Sequence, residues 1–183
     1  LFCALVLMGA FVFYRLPPSD TTVNKEKWQQ AIQTLESRLS DAHFPDDGYG
    51  DRLSTRHTPD SWTTAQVLAG VLSAGVSLKD GNLKRSFQYL IKHQEDGGWS
   101  RLETPKTPST EVTSWVGLAG LLSLHRPDIW GTSQEEAKRM VQDVYKEVTR
   151  RQTKTGGWST FQNFDASQSL NVGAYASVMA LVF

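Results

Sequence analysis

Residues 85–100 read R-S-F-Q-Y-L-I-K-H-Q-E-D-G-G-W-S. The first part predicts an amphipathic helix, because Leu83, Phe87, Leu90, Ile91 and Gln94 recur at the three- and four-residue spacing of one helix face. Gly97 and Gly98 predict its stop, since glycine takes the left-handed backbone that ends a helix without a side-chain penalty. Trp99 follows at once, so a large ring is turned back against the helix that has just ended. Residues 148–160, V-T-R-R-Q-T-K-T-G-G-W-S-T, repeat the device, with Gln152 leading into Gly156, Gly157 and Trp158. Two such copies predict a helical repeat, whose units cannot bury their apolar faces alone.

The first copy resembles the QW motif of the terpenoid cyclases at Arg85, Ser86, Tyr89, Leu90, Gln94, Gly97 and Trp99. The second keeps Val148, Gln152, Gly156 and Trp158 but carries Glu147 in the aromatic slot. From about Trp28 onward the chain is similar to the prenyltransferase and squalene-cyclase repeat superfamily. That resemblance implies an all-α fold, an α/α toroid of concentric helices, here with about three hairpins. It also gives Gln94, Gly97, Gly98, Trp99, Gln152, Gly156, Gly157 and Trp158 a structural role. The glutamines are expected to satisfy backbone groups at helix ends, and the tryptophans to fill the gaps between hairpins.

Composition narrows the function classes. The 183 residues hold 19 Lys plus Arg and 19 Asp plus Glu, a formal net charge of zero, so nothing predicts a nucleic-acid partner with its need for a basic face. The single cysteine, Cys3, rules out a disulfide framework or a Cys-based zinc site within the chain. The start on Leu1 and the finish inside an apolar run, 178–183, read as a fragment of something longer.

Residues 1–16 open with L-F-C-A-L-V-L-M-G-A-F-V-F-Y and reach Arg15. The run is short of the ~20 residues that span a bilayer, yet a membrane anchor suits it better than a signal-peptide core or a buried helix. Arg15, Lys25 and Lys27 just downstream lean towards a cytoplasmic repeat domain. Residues 17–24, with Pro17 and Pro18, form a stiff linker, and 25–183 form the repeat domain.

Within that domain, Trp28, Ala31, Ile32, Leu35 and Leu39 stripe a first outer helix capped by Asn24. The loop 44–51, with Gly48 and Tyr49, is a worn first copy of the Gly-Gly-Trp device. Residues 61–74 are apolar nearly all round and predict a buried inner helix, its start marked by Pro59 and Asp60. The text Leu68 to Ser73 recurs as Leu118 to Ser123, an offset of 118 − 68 = 50. A third outer helix carries Ala137, Met140, Val141, Val144, Tyr145 and Val148, and a third inner helix begins near Ala166. Alternating amphipathic and apolar helices fit a two-ring barrel or a solenoid alike; the resemblance implies the barrel.

In the family, loops and inner-helix starts face a central cavity. The resemblance delivers His57, Asp60, Trp62, Glu111, Trp115, Asp165 and Tyr175 to that region. Acids beside aromatic faces suit a cation, whereas acids at helix starts also serve as caps and dipole partners. No Asp-x-Asp-Asp motif occurs, and Asp46, Asp47 and Asp51 read as a solvated turn. His43, His57, His93 and His125 share no ligand spacing, and His93 is expected on the surface. No metal and no cofactor are implied. The expected function is a membrane-anchored module that binds or senses an apolar ligand, peptide or partner protein. The alternative is a piece of an isoprenoid-handling enzyme whose catalytic motif lies elsewhere.

Overall fold

The computed structural model describes residues 25–41, 48–50, 59–75, 81–96, 98–101, 107–130, 134–154 and 156–160. Among them are six helices and no strand: α1 (Lys25–Asp41), α2 (Ser61–Ala74), α3 (Asn82–Lys92), α4 (Thr110–Ser123), α5 (Pro127–Trp130) and α6 (Gln134–Arg150). The fold is all-α. Residues 1–24, including the apolar run, the linker and Asn24, lie outside the described residues, as does the third inner helix expected from Ala166. No helix among the described residues is long and apolar enough to cross a membrane.

The apolar helices α2 and α4 pack along each other, α6 packs along α4, and α3 lies against α2. The short α5 touches both α3 and α6. Small residues set these approaches. At Gly120 an added Cβ would meet Met140 Cε and Val141 Cγ2 at 2.9 Å, so α6 presses on α4 where no side chain stands. The core gathers Leu68, Val71, Phe87, Leu90, Trp99, Val112, Val116, Trp130, Met140 and Val144. Trp130 stands on Phe87 with ring centroids 4.8 Å apart, and its indole N–H donates to Ser123 Oγ at 2.9 Å. Four residues are too few for periodicity to reveal α5, and sequence reasoning passed over it.

Hydrogen bonds define the repeat. Trp99 N donates to Thr113 Oγ1 (3.2 Å), Ser109 N donates to Trp99 O (2.9 Å), and Ser109 Oγ caps α4 by accepting from Val112 N. Forty-odd residues earlier, Tyr49 N donates to Thr64 Oγ1 (2.9 Å), Asp60 N donates to Tyr49 O (3.1 Å), and Asp60 caps α2. The loop around Gly48 and Tyr49 is therefore a true first copy, and Tyr49 is only 1% exposed.

These bonds correct the repeat offset. Within the inner helices the caps give 109 − 60 = 49 and the threonines 113 − 64 = 49, one residue out of step with the matching text, whereas the turn residues Tyr49 and Trp99 keep 99 − 49 = 50. One residue is about 100° around a helix. Packing and capping decide the register of the inner helices.

Two further expectations are corrected at the turns. The helix before Trp99 ends at Lys92, ahead of the glycines; Gly98, with φ 118°, shapes the turn that follows. An added Cβ there would collide with Thr113 Oγ1. The glutamines do not satisfy the helix ends either. Trp99 Nε1 donates to Leu90 O at 2.6 Å and Trp158 Nε1 to Val148 O at 3.0 Å, so the indole itself meets a carbonyl of the last turn. Gln94 Nε2 instead reaches Asp143 Oδ2 on α6 (3.1 Å), and Gln152 Nε2 reaches Gly156 O (3.3 Å).

Candidate functional site

The starts of α2 and α4 carry most of the expected cavity residues that the structure describes. Asp60 is fully engaged: Oδ1 accepts from Thr63 N (2.7 Å) and Oδ2 from Thr63 Oγ1 (2.8 Å). It acts as the N-cap of α2, a charge-assisted bond at the positive end of the helix. Trp62, one residue on, is half-buried with Arg101 over its ring, the guanidinium carbon 3.7 Å from the centroid. Glu111 holds the register position of Trp62 on α4, since 111 − 62 = 49. Its Oε1 accepts from Thr160 Oγ1 (3.0 Å), while Oε2 is buried with no hydrogen-bond partner among the described residues. Ser114 Oγ and Trp62 Nε1 are in the same condition.

Trp115 is a correction: at 4% exposure it belongs to the buried core, and it lines neither groove found among the described residues. His57, Asp165, Tyr175 and Gly97 lie outside the described residues. His93 is also corrected: it is half-buried, stacked on Tyr89 with ring centroids 4.0 Å apart, and its Nδ1 lies 2.8 Å from Tyr89 O. Among the described residues no group of three His, Cys, Asp or Glu side chains is placed to hold a metal ion.

A buried polar patch joins α4 to the Trp158 turn. Thr110 N donates to Thr160 O (2.8 Å), and Thr110 Oγ1 donates to Ser159 O. Arg151, 4% exposed, donates from Nη1 to Thr110 Oγ1 (3.3 Å). Burial lowers its guanidinium to about 10, opposed by the nearby carboxylate of Glu147. Glu147, which stands where the preceding copy has Tyr89, is itself buried and paired with Arg150. In the preceding copy the aromatic slot works differently: Tyr89 Oη donates to Pro59 O (2.9 Å). Both arrangements tie an outer helix to the start of an inner one. They differ in using a neutral hydroxyl or a set of charges.

The concave surface lies elsewhere. A groove of about 470 Å³ runs between the end of α4 and one flank of α6, lined by Leu121, Val141, Gln142, Tyr145, Val148 and Trp158, with Thr149 and Gln152 at its edge. Its lining is mostly apolar and it opens to solvent. Tyr145 is 67% exposed, a large aromatic left in water. The sequence pattern placed Val141 and Tyr145 in the same stripe as Met140 and Val144. The stripe is in fact graded: Ala137, Met140, Val144 and Val148 are buried, Val141 touches α4 at Gly120 and also lines the groove, and Tyr145 stands out in solvent. Its width was the available signal, since six apolar positions in twelve residues exceed what one neighbour covers. No protein-family model, curated protein or solved structure matches the chain.

Proposed function

We propose that the chain is a binding module made of squalene-cyclase/prenyltransferase-like hairpins. In this reading the hairpins form part of an α/α toroid, tethered to a membrane by residues 1–16 with the repeats on the cytoplasmic side. The module holds an apolar ligand, peptide or partner protein without converting it. The observation that carries the proposal is the open apolar groove beside Tyr145 and Trp158. Apolar surface left in water at a concave site is what a binding face offers. Asp60 adds support, because both its oxygens are spent on Thr63 in capping α2.

One observation favours the second reading, a piece of an isoprenoid-handling enzyme. Glu111 Oε2 is buried with no hydrogen-bond partner among the described residues, a carboxylate oxygen left available at the start of an inner helix. The two readings separate in one experiment. The chain is incubated with squalene and with labelled prenyl diphosphates, and products are analysed. Separately, an environment-sensitive apolar dye is titrated against the wild type and Tyr145→Lys. Saturable dye binding that the substitution weakens, with no turnover, is the expected result. Turnover abolished by Glu111→Gln establishes the enzyme instead. For the anchor, a chain beginning at Ser19 is expected to leave liposomes that the full chain joins; equal partition of both removes the tether.

A further inference from the structure

The three turns differ in one bond. In the second copy Trp99 reaches forward to α4 through Thr113 and Ser109, and back to α3 through its indole N–H, which Leu90 O accepts. The third copy keeps the backward bond, Trp158 Nε1 to Val148 O. These bonds align α3 with α6, Leu90 with Val148 and Phe87 with Tyr145, since 148 − 90 = 145 − 87 = 58. The first copy keeps the forward pair, Tyr49 N to Thr64 Oγ1 and Asp60 N to Tyr49 O. A tyrosine ring carries no N–H, so the indole bond has no donor there. Spacings of 99 − 90 = 9 and 158 − 148 = 10 place the equivalent carbonyl at residue 39 or 40, in the last turn of α1.

Burial follows the same division. α3 buries Leu83, Phe87 and Leu90 along its length, and α6 buries Ala137, Met140, Val144 and Val148. On α1 the stripe is buried at one end only: Ala31 is exposed, Ile32 and Leu35 are half-buried, and Leu39 is 1% exposed. α1 also runs along no other described helix, whereas α3 lies against α2 and α6 against α4. A helix of 17 residues is marginal in water without a packed face. We infer that α1 is a hinged arm, latched to the core at Leu39, which swings away as a unit while α2 to α6 stay folded. Its opening returns Ile32, Leu35 and Leu39 to water and uncovers the edge of the core on which they lie. Few apolar side chains are lost to solvent, so this opening lies well below global unfolding in free energy. On the reading that residues 1–16 tether the chain, α1 is the joint between tether and repeats, and its swing alters how the repeats stand from the membrane. That consequence rests on the tether; the arm itself does not.

Hydrogen exchange of the full chain, read by mass spectrometry, tests the arm. Amides of residues 25–41 are expected to exchange on the order of a hundredfold faster than those of α2 and α4, by an opening that exposes little surface and responds weakly to urea. Leu39→Ala is expected to speed α1 roughly tenfold further and to leave α2 and α4 within about twofold of the wild type. Phe87→Ala, in the core, is expected to speed α2, α3 and α4 together. Equal protection of α1 and α2 overturns the inference, because α1 then opens only with the whole domain. So does a Leu39→Ala chain in which α2 and α4 speed up as much as α1. Exchange that is fast towards Lys25 but as slow as α2 over residues 36–41 also overturns it, since that is fraying of one end and not the swing of a unit. If α1 opens as expected but the full chain and the chain from Ser19 partition alike on liposomes, the tether falls and the arm stands. If the full chain joins liposomes and α1 is as protected as α2, the arm falls and the tether stands.

Discussion

The second and third outer helices end in turns of nearly the same text and the same bonds, yet one is sealed and the other half open. Each indole donates to a carbonyl of its own helix, and each turn is closed by a glycine carbonyl: Gly98 O accepts from Glu95 N, and Gly157 O from Thr153 N. Trp99 is nevertheless 0% exposed and Trp158 only half-buried, while Phe87 is covered and its counterpart Tyr145 stands in water. The difference teaches that the local device is self-sufficient in hydrogen bonding but not in burial. Its stability depends on the neighbour, which over Phe87 of α3 is the Trp130 ring of α5.

The widest gap is expected between Phe87→Ala and Tyr145→Ala. The first opens a cavity beneath Trp130 and costs about 3–5 kcal/mol; the second removes an exposed ring and changes stability by roughly 0.5 kcal/mol or less. Urea unfolding of both variants checks it, and equal losses would mean that the α6 flank is as covered as the α3 flank.

Next come the tryptophans. Trp99→Ala is expected to lose about 3–5 kcal/mol, and Trp158→Ala about half of that, because less apolar area returns to water. Thermal unfolding should rank them in that order. Trp99→Phe isolates the indole bond to Leu90 O, at about 1–3 kcal/mol for the stranded carbonyl and the smaller ring.

A sharper contrast lies at the turn glycines. Gly98 and Gly156 both have positive φ, 118° and 89°. At Gly156 an added Cβ meets nothing within 4 Å, so Gly156→Ala carries backbone strain alone, about 1 kcal/mol. At Gly98 the Cβ meets Thr113 Oγ1, the acceptor for Trp99 N, and Gly98→Ala is expected to cost roughly twice as much or more. Amide exchange at Trp99 should rise in Gly98→Ala and stay slow in Gly156→Ala.

The smallest effect is expected at Asp128, where the side-chain hydrogen bond from Arg126 holds the carboxyl below its usual range. A lowered folded pKa stabilises only above the unfolded pKa and is lost as pH falls through the folded value. Asp128→Asn should therefore differ slightly from the wild type above about pH 4 and converge on it only as pH falls through the lower folded value, the difference shrinking with salt because the pair is exposed. A large change near neutral pH would show that the α5 turn, and with it the cover over Phe87, leans on this ion pair.

Much of the hairpin order was legible because its signals are local. Glycine-tryptophan turns, an acid before an apolar helix and a stripe at helical spacing each refer to a few adjacent residues, and Asp60 duly caps α2. The worn copy at Tyr49 was legible for the same reason. The candidate site was much less so. Trp115 and Trp62 look alike as tryptophans near inner-helix starts, but one is core and the other lies under Arg101, a distinction made by chain far away in sequence. Tyr145 sat in an apolar stripe, and a stripe does not say which of its edges has a neighbour.

By itself the sequence determined the helical class, the alternation of amphipathic and apolar helices, and the points where the chain turns back, because capping and periodicity are properties of single segments. Only the tertiary structure decided the 49-residue register, the transfer of the helix-end bond from glutamine to tryptophan, and the burial of one flank with the exposure of its twin. Those are properties of pairs of helices. A side chain's area in water depends on what packs against it, and no spacing within one helix records that.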